Sequence, residues 1–411
     1  MLHEGDRQLS PKANKNEGIQ AMSHYNTIFN QILHLIPRHQ FEGIVKRYEA
    51  DRYVKYFNCW QQFITLLFAQ IRGKDSLREI ETSLRTQSNK WYHIGLRDIK
   101  RSTLSDANKH RDWKVYEELF YSILRRCKDV TPRHKFRFNN PLYTLDSTVV
   151  ELCLSLYPWA RFRKRKGALK IHNLYDHSGC IPTFMTVTDG KQHDVKVAKE
   201  LDLPLMADSI VSVDRAYIDY KWLNSLNKSG TYFVTRAKSN INYEIIGQHE
   251  VNKKKALLFV LNLIQDRLKG YYQSRFYPER LRLVGFHDTE TNKKLVFLTN
   301  NFFLSAYTIT QIFKARWKIE GFFKWIKQNL KIKSFLGTSK NAVLTQIWVS
   351  MCYYLLLSYI KYQTKYSYTL TEFAIMLKET VLERISIIDL LSCTHYTCYK
   401  AREPDLQLLL L

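Results

Sequence analysis

Three acids of this chain stand where their surroundings give a carboxylate something to do. Asp146 lies inside the β-branched run "LYTLDSTVV", and Asp214 ends the apolar run "SIVSVD". Glu320 is the one acid of "FKARWKIEGFFKWIKQNLKIK" (313–333), which also carries Lys314, Arg316, Lys318, Lys324, Lys327, Lys331 and Lys333. Carboxylates suit a hard divalent cation such as Mg²⁺ or Mn²⁺, which takes oxygen ligands and keeps waters for its substrate. Two such ions about 3.5–4 Å apart stabilise the attacking and the leaving oxygen of an in-line displacement at phosphorus. The surrounding cations suit a phosphate backbone, whose counterions they release on binding. Ordinary i±4 pairs of Glu320 with Arg316 and Lys324 explain the helix taken alone; the two aspartates favour the metal.

The elements that must position these acids follow from periodicity. Residues 142–155, 168–178 and 181–190 are β-branched or aromatic runs separated by Gly- and Pro-containing breaks, and read as three strands. A short helix ("DVKVAKELDL"), a buried strand at 209–217 ending in Asp214, a helix ("DYKWLNSLNKSG") and a strand at 231–238 follow. Three antiparallel strands and then αβαβ predict an RNase H-like mixed sheet flanked by helices, of α+β class. Neighbouring strands lie about 4.8 Å apart, so Asp146 and Asp214 can share a cation. The helix over 313–327 is expected to cross near their ends and bring Glu320. At about 100° per residue from Arg316, Lys327 falls near 20°, Glu320 near 40° and Phe313 near 60°. That places Phe313 on the polar face, beside an apolar stripe of Ile319, Phe323, Ile326 and Leu330.

The rest of the chain divides as follows: 1–21, a polar disordered extension; 22–130, an N-terminal helical DNA-binding domain; 140–239, the first part of the core; 240–301, a β insertion with strand-like runs at 256–264, 271–277, 280–286 and 295–299; 302–362, the second part of the core; 363–411, a helical tail opening with one amphipathic helix at 369–391. Lys and Arg total 63 against 38 Asp and Glu, a net charge of +25 and a pI of about 9.6, so the natural partner is a polyanion. The charge is spread along the chain with no basic amphipathic anchor, which favours nucleic acid over membrane. "AVLTQIWVSMCYYLLLSYI" (342–360) is long enough to span a bilayer, but Thr345, Gln346, Ser350 and Ser358 interrupt it and predict a buried core helix. No apolar leader opens the chain, which predicts a cytoplasmic protein. Most of the seven cysteines, Cys153 and Cys352 among them, read as small buried hydrophobes. "CTHYTC" (393–398) lacks the second ligand pair a zinc site needs. The basic loop with Arg163, Lys164, Arg165 and Lys166 is expected to lie along DNA.

"LYTLDST" at 142–148, "VDRAY" at 213–217 and the helix over 313–327 resemble the DDE transposases of bacterial insertion sequences. The group they resemble is insertion-sequence family four, called YREK after the signature Y-x2-R-x3-E-x6-K. Arg316, Glu320 and Lys327 keep that spacing, and Phe313 stands where the signature has tyrosine. The resemblance covers about residues 24–362. It implies cut-and-paste transposition, in which water and then a 3′-hydroxyl attack phosphodiesters at terminal inverted repeats and target DNA. It also implies a two-metal Mg²⁺ or Mn²⁺ site in which Asp146 contacts both ions and Asp214 and Glu320 one each. Arg316 and Lys327 would hold DNA phosphates, with Phe313 and Lys324 on the same helix face. Synapsis of two double-stranded DNA ends implies a homodimer, and a bacterial source implies association with the nucleoid. His193 and Asp194 stand where the family has a polar pair, and Asp194 serves equally as a helix cap. Tyr271 or Tyr272 would replace an absent tryptophan in the insertion, stacking on a base. A domesticated or inactive copy that binds ends without cutting, or an RNase H-like nuclease, is the alternative.

Overall fold

The computed structural model describes residues 26–163, 166–239, 241, 243–248, 262–268, 271–288, 292–332, 334–367 and 369–393. Ten strands are found among them: β1 (Leu142–Leu152), β2 (Arg161–Arg163), β3 (Lys166–Asp176), β4 (Ile181–Asp189), β5 (Ile210–Val213), β6 (Tyr232–Arg236), β7 (Tyr243–Gln248), β8 (Asn262–Leu268), β9 (Leu281–Asp288) and β10 (Lys293–Thr299). The helices are α1 (Ile28–His34), α2 (Arg38–Arg47), α3 (Cys59–Arg72), α4 (Leu77–Arg85), α5 (Trp91–Ile94), α6 (Arg101–His110), α7 (Lys114–Val130), α8 (Asp194–Glu200), α9 (Tyr220–Lys228), α10 (Tyr271–Phe276), α11 (Ala306–Ala315), α12 (Trp317–Asn329), α13 (Lys340–Thr364), α14 (Leu370–Thr380) and α15 (Ile387–Cys393).

The sheet is organised around β1, which is largely buried. On one side β1 pairs antiparallel with β3, and β3 antiparallel with β4; on the other, β1, β5 and β6 run parallel. The order β4-β3-β1-β5-β6 is that of an RNase H-like sheet, as the element order predicts. The segment expected as a β insertion extends the same sheet, because β10 pairs with β6 and is followed by β9, β8 and β7. Residues 271–276 form the helix α10 rather than the strand expected there. Most of the run 256–264 lies outside the described residues.

Alternation along β1 and β5 sends side chains to two faces. Tyr143, Leu145, Val211 and Val213 pack with Trp222 and Leu223 of α9. Leu142 and Ile210, on the other face, pack with Ile309, Ile312 and Phe313 of α11. The same face, farther along β3, receives α12: the Phe322 ring lies 5.5 Å from Tyr175 of β3 and 5.1 Å from Tyr354 of α13. The apolar stripe Ile319, Phe323, Ile326 and Leu330 is buried as the helical period predicts.

Helix α13 is long and apolar enough to cross a membrane, yet 94% of its most apolar window is buried inside the fold. It is the axis of the helical part. Helices α3, α6 and α7 from the N-terminal segment and α14 from the tail surround it, and Phe63, Phe120, Ile326, Trp348 and Phe373 share one core. The tail is two helices, not one: Thr369 and Glu372 cap α14 with a reciprocal box, and the chain breaks after Thr380 before α15. Cys59, Cys127 and Cys352 are buried as expected, whereas Cys153 is exposed, because the chain has left β1 by that point. Residues 1–21 and 394–398 lie outside the described residues.

Trp348 is 1% exposed and stacks on Trp113 at 6.4 Å, with Phe120 at 5.2 Å. Its loss would empty the junction between the N-terminal helices and α13. Trp348→Ala is expected to cost about 3–5 kcal/mol in a denaturant titration; a change below about 1 kcal/mol would show that the two helical segments do not share this core.

Candidate active site

Parallel pairing of β1 with β5 sets Leu145 beside Val213. Asp146 follows Leu145 within β1 and Asp214 follows Val213 just past the end of β5, so the two aspartates lie near each other. Asp214 closes a 3-10 turn, accepting the Arg215 backbone N–H at 2.8 Å. Asp146 accepts the Ser147 N–H at 2.8 Å through one carboxylate oxygen. Its other oxygen accepts Arg316 Nη1 at 3.2 Å, while Arg316 Nη2 reaches Glu320 Oε1 at 3.4 Å. One guanidinium therefore bridges the strand acid to the helix acid.

Arg316 occupies the junction of α11 and α12, where the helix predicted as continuous is interrupted. The residue is 6% exposed, and its Nε has no hydrogen-bond partner. Phe313 and Trp317 place their rings 5.4 Å from the guanidinium carbon. The expected polar face is not exposed at this point: Phe313 and Arg316 are both buried, with the guanidinium over the Phe313 ring. The Phe313 ring packs 4.7 Å from Phe297 and belongs to the core beneath α11. Arg316 likewise points inward at the acids rather than outward.

Burial pushes the Asp146 carboxyl up to about 6; the Ser147 N–H and Arg316 oppose the rise, and the charges of Asp214 and Asp194 add to it. Asp194, the first residue of α8, does not cap that helix; no side chain bonds at the cap position His193. Its carboxylate instead accepts Ser147 Oγ at 2.5 Å and Lys170 Nζ at 3.2 Å, and lies 3.6 Å from His172 Nδ1. His172 Nε2 meets Thr188 Oγ1 at 2.9 Å, and burial lowers its pKa to about 4, which keeps the ring neutral. This network fixes β1 from the face opposite Asp146. Asn173, the cross-strand partner of Asp146, is fully buried, and neither polar atom of its amide has a partner.

The alternation of polar residues in "LKIHNLYD" was the available signal for Lys170, His172 and Asn173: polar side chains in a strand buried on both faces need a local reason. The remaining DNA-contact candidates fall out as follows. Lys324 is exposed on α12, and Lys327 is half-buried on the same helix. Arg163 and Lys166 face each other in the register of the β2–β3 hairpin, and Lys164 and Arg165 between them lie outside the described residues. The side chains of Tyr271 and Tyr272 also lie outside them.

Among the described residues, no group of three or more His, Cys, Asp or Glu side chains stands close enough to hold a metal ion. Arg316 takes the intervening position between two of the acids. The chemistry of Asp146, Asp214 and Glu320 nevertheless suits a hard divalent cation: all three offer carboxylate oxygens, and a cationic group already stands between Asp146 and Glu320.

The site is thus an RNase H-like sheet with Asp146 within its central strand β1 and Asp214 just past the end of the neighbouring β5. Comparison with known proteins gives the family. The Transposase DDE domain model matches residues 138–356, and a domain of unknown function matches 24–97. A probable transposase for insertion sequence element IS5377 from Geobacillus stearothermophilus is 30% identical over 271 residues, 66% of this chain and 70% of that protein. The putative transposase y4zB from Sinorhizobium fredii is 32% identical over 256 residues, covering 62% and 69%. A putative transposase for insertion sequence element IS4SA from Synechocystis is 24% identical over 320 residues, covering 76% and 86%. A cryo-EM structure of the piggyBac transposase synaptic complex with hairpin DNA aligns with a TM-score of 0.41 at 11% identity, over 91% of this chain and 81% of that one. The chain belongs to the DDE transposases and is an enzyme acting on DNA.

Phe313→Ala is expected to lower stability by about 3–5 kcal/mol in chemical denaturation, the cost of a cavity under α11. Unchanged stability together with weakened DNA binding would return the ring to the DNA-facing surface.

Proposed function

We propose that this transposase belongs to the YREK-signature group and moves an insertion sequence by cut-and-paste, with Asp146, Asp214 and Glu320 as the catalytic acids. The observation that supports this reading is the gathering of strand and helix acids: Asp146 and Asp214 one residue beyond the paired Leu145 and Val213, and Glu320 joined to Asp146 through one guanidinium. The three carboxylates would hold Mg²⁺ or Mn²⁺ in a two-metal site. When bound, the divalent ions supply activation of the attacking oxygen and charge stabilisation at phosphorus.

The chain's own residues do the rest. The Ser147–Asp194–Lys170 network holds β1, and with it the Asp146 carboxylate, at a fixed height in the sheet. Phe322, wedged between Tyr175 and Tyr354, holds α12 and therefore Glu320 against β3. Exposed Lys324, with Lys327 and the basic hairpin of Arg163, Lys164, Arg165 and Lys166, would bind phosphates of double-stranded DNA at the terminal inverted repeats and the target. Hydrolysis at the repeat breaks a P–O3′ bond and frees a 3′-hydroxyl. That hydroxyl then attacks a target phosphodiester, forming one P–O bond as another breaks. Synapsis of two ends would join two copies as a homodimer, in the cytoplasm and on the bacterial nucleoid. The net charge of +25 supports a polyanionic partner over a membrane.

Asp146→Ala, Asp214→Ala and Glu320→Gln are each expected to reduce Mg²⁺-dependent cleavage of a terminal-repeat duplex by more than about a hundredfold, with end binding in a gel-shift assay largely kept. Cleavage within about tenfold of the parent by any one of them would remove that residue from the catalytic set.

A further inference from the structure

The strong form of an arginine–carboxylate pair is short, with N–O distances of about 2.7–2.9 Å, and is frequently forked, with two parallel bonds to one partner. Arg316 meets neither condition. It gives one nitrogen to each of two acids, at 3.2 Å to Asp146 and 3.4 Å to Glu320, and its buried Nε bonds nothing. The pairs are long and single, and each acid is one that the proposed function assigns to the metal. Among the described residues, Arg316 is the cation that stands between Asp146 and Glu320. The junction between α11 and α12, with Phe313 on one side and Trp317 on the other, places the guanidinium there.

We propose that Arg316 is an exchangeable counterion of the catalytic carboxylates: its guanidinium neutralises Asp146 and Glu320 in the metal-free protein and withdraws from them when a divalent cation loads. The inference rests on the reading of these acids as metal ligands. Exchange of this kind has two consequences. It prevents the acids from repelling one another before metal arrives, and it sets the metal affinity by competition, since the cation must displace a bound positive group. Removing the competitor strengthens metal binding even as it removes a contact from the metal-free fold.

The test is Mn²⁺ binding to the full-length protein without DNA, followed by electron paramagnetic resonance or calorimetry, for the parent, Arg316→Gln and Glu320→Gln. Arg316→Gln is expected to bind Mn²⁺ about tenfold more tightly, within the usual range for coupled sites, and to show a larger Mn²⁺-induced rise in melting temperature than the parent. Unchanged or weaker Mn²⁺ binding by Arg316→Gln, with binding lost in Glu320→Gln, would overturn the exchange while leaving the acids as ligands. Parent-like binding by Glu320→Gln would instead overturn the metal reading beneath it. The unmodified protein gives a test that does not depend on the variant folding. The Arg316 guanidinium resonance, assigned with Arg316→Lys, should move and its Nε proton exchange faster as Mg²⁺ saturates the site. A resonance that stays fixed through saturation would show that the arginine does not leave.

Discussion

Carboxylate charge gathered in a half-buried place must be neutralised, and the architecture around Asp146 follows from that demand. The aspartate sits on a central strand of the sheet, with Asp214 nearby just past the end of β5 and Asp194 on the first turn of α8. Burial disfavours its charge, the Ser147 N–H and Arg316 favour it, and Asp214 and Asp194 disfavour it. In the metal-free protein the answer is Arg316, delivered to the acids by a break between two helices. A transposase of this family thus carries its own positive group at the point where its chemistry calls for cations.

The rest of the fold keeps those charges within reach of one another. Parallel pairing of β1 and β5 sets Leu145 beside Val213, and each aspartate is the next residue. Aromatic packing of Phe322 between Tyr175 and Tyr354 anchors the helix that carries Glu320, and α13 beneath it is held by helices from both ends of the chain. Rigid elements position all three acids, which suits a site where a displacement of about 1 Å costs much of the rate. Arg316 is the exception, placed at a junction where the backbone hydrogen-bond ladder is interrupted.

Much of this was legible in the sequence, for reasons that particular residues make plain. Strand alternation in "LYTLDST" and the apolar run before Asp214 give the order of the core strands, and helical spacing gives the buried face of α12. The failures also have physical causes. A helical wheel shows which residues share a face and not what that face meets, so Phe313, expected on an open polar face, lies buried with Arg316. Propensity could not separate helix from strand in the aromatic stretch 271–276. Asp194 reads as a cap from its position, but only the folded register shows Ser147 and Lys170 within its reach. The bridging role of Arg316 joins residues 146 and 320, and no local pattern reports a contact across that separation.

The central claim is that Asp146 and Glu320 form a cation site that Arg316 fills in the absence of metal. Anomalous diffraction from crystals of the DNA-free protein grown with Mn²⁺ tests it most directly. The account predicts an Mn²⁺ peak ligated by Asp146 with Asp214 or Glu320, and the Arg316 guanidinium no longer within hydrogen-bond distance of Asp146. A crystal saturated with Mn²⁺ elsewhere, with Arg316 still bridging Asp146 and Glu320, would contradict it.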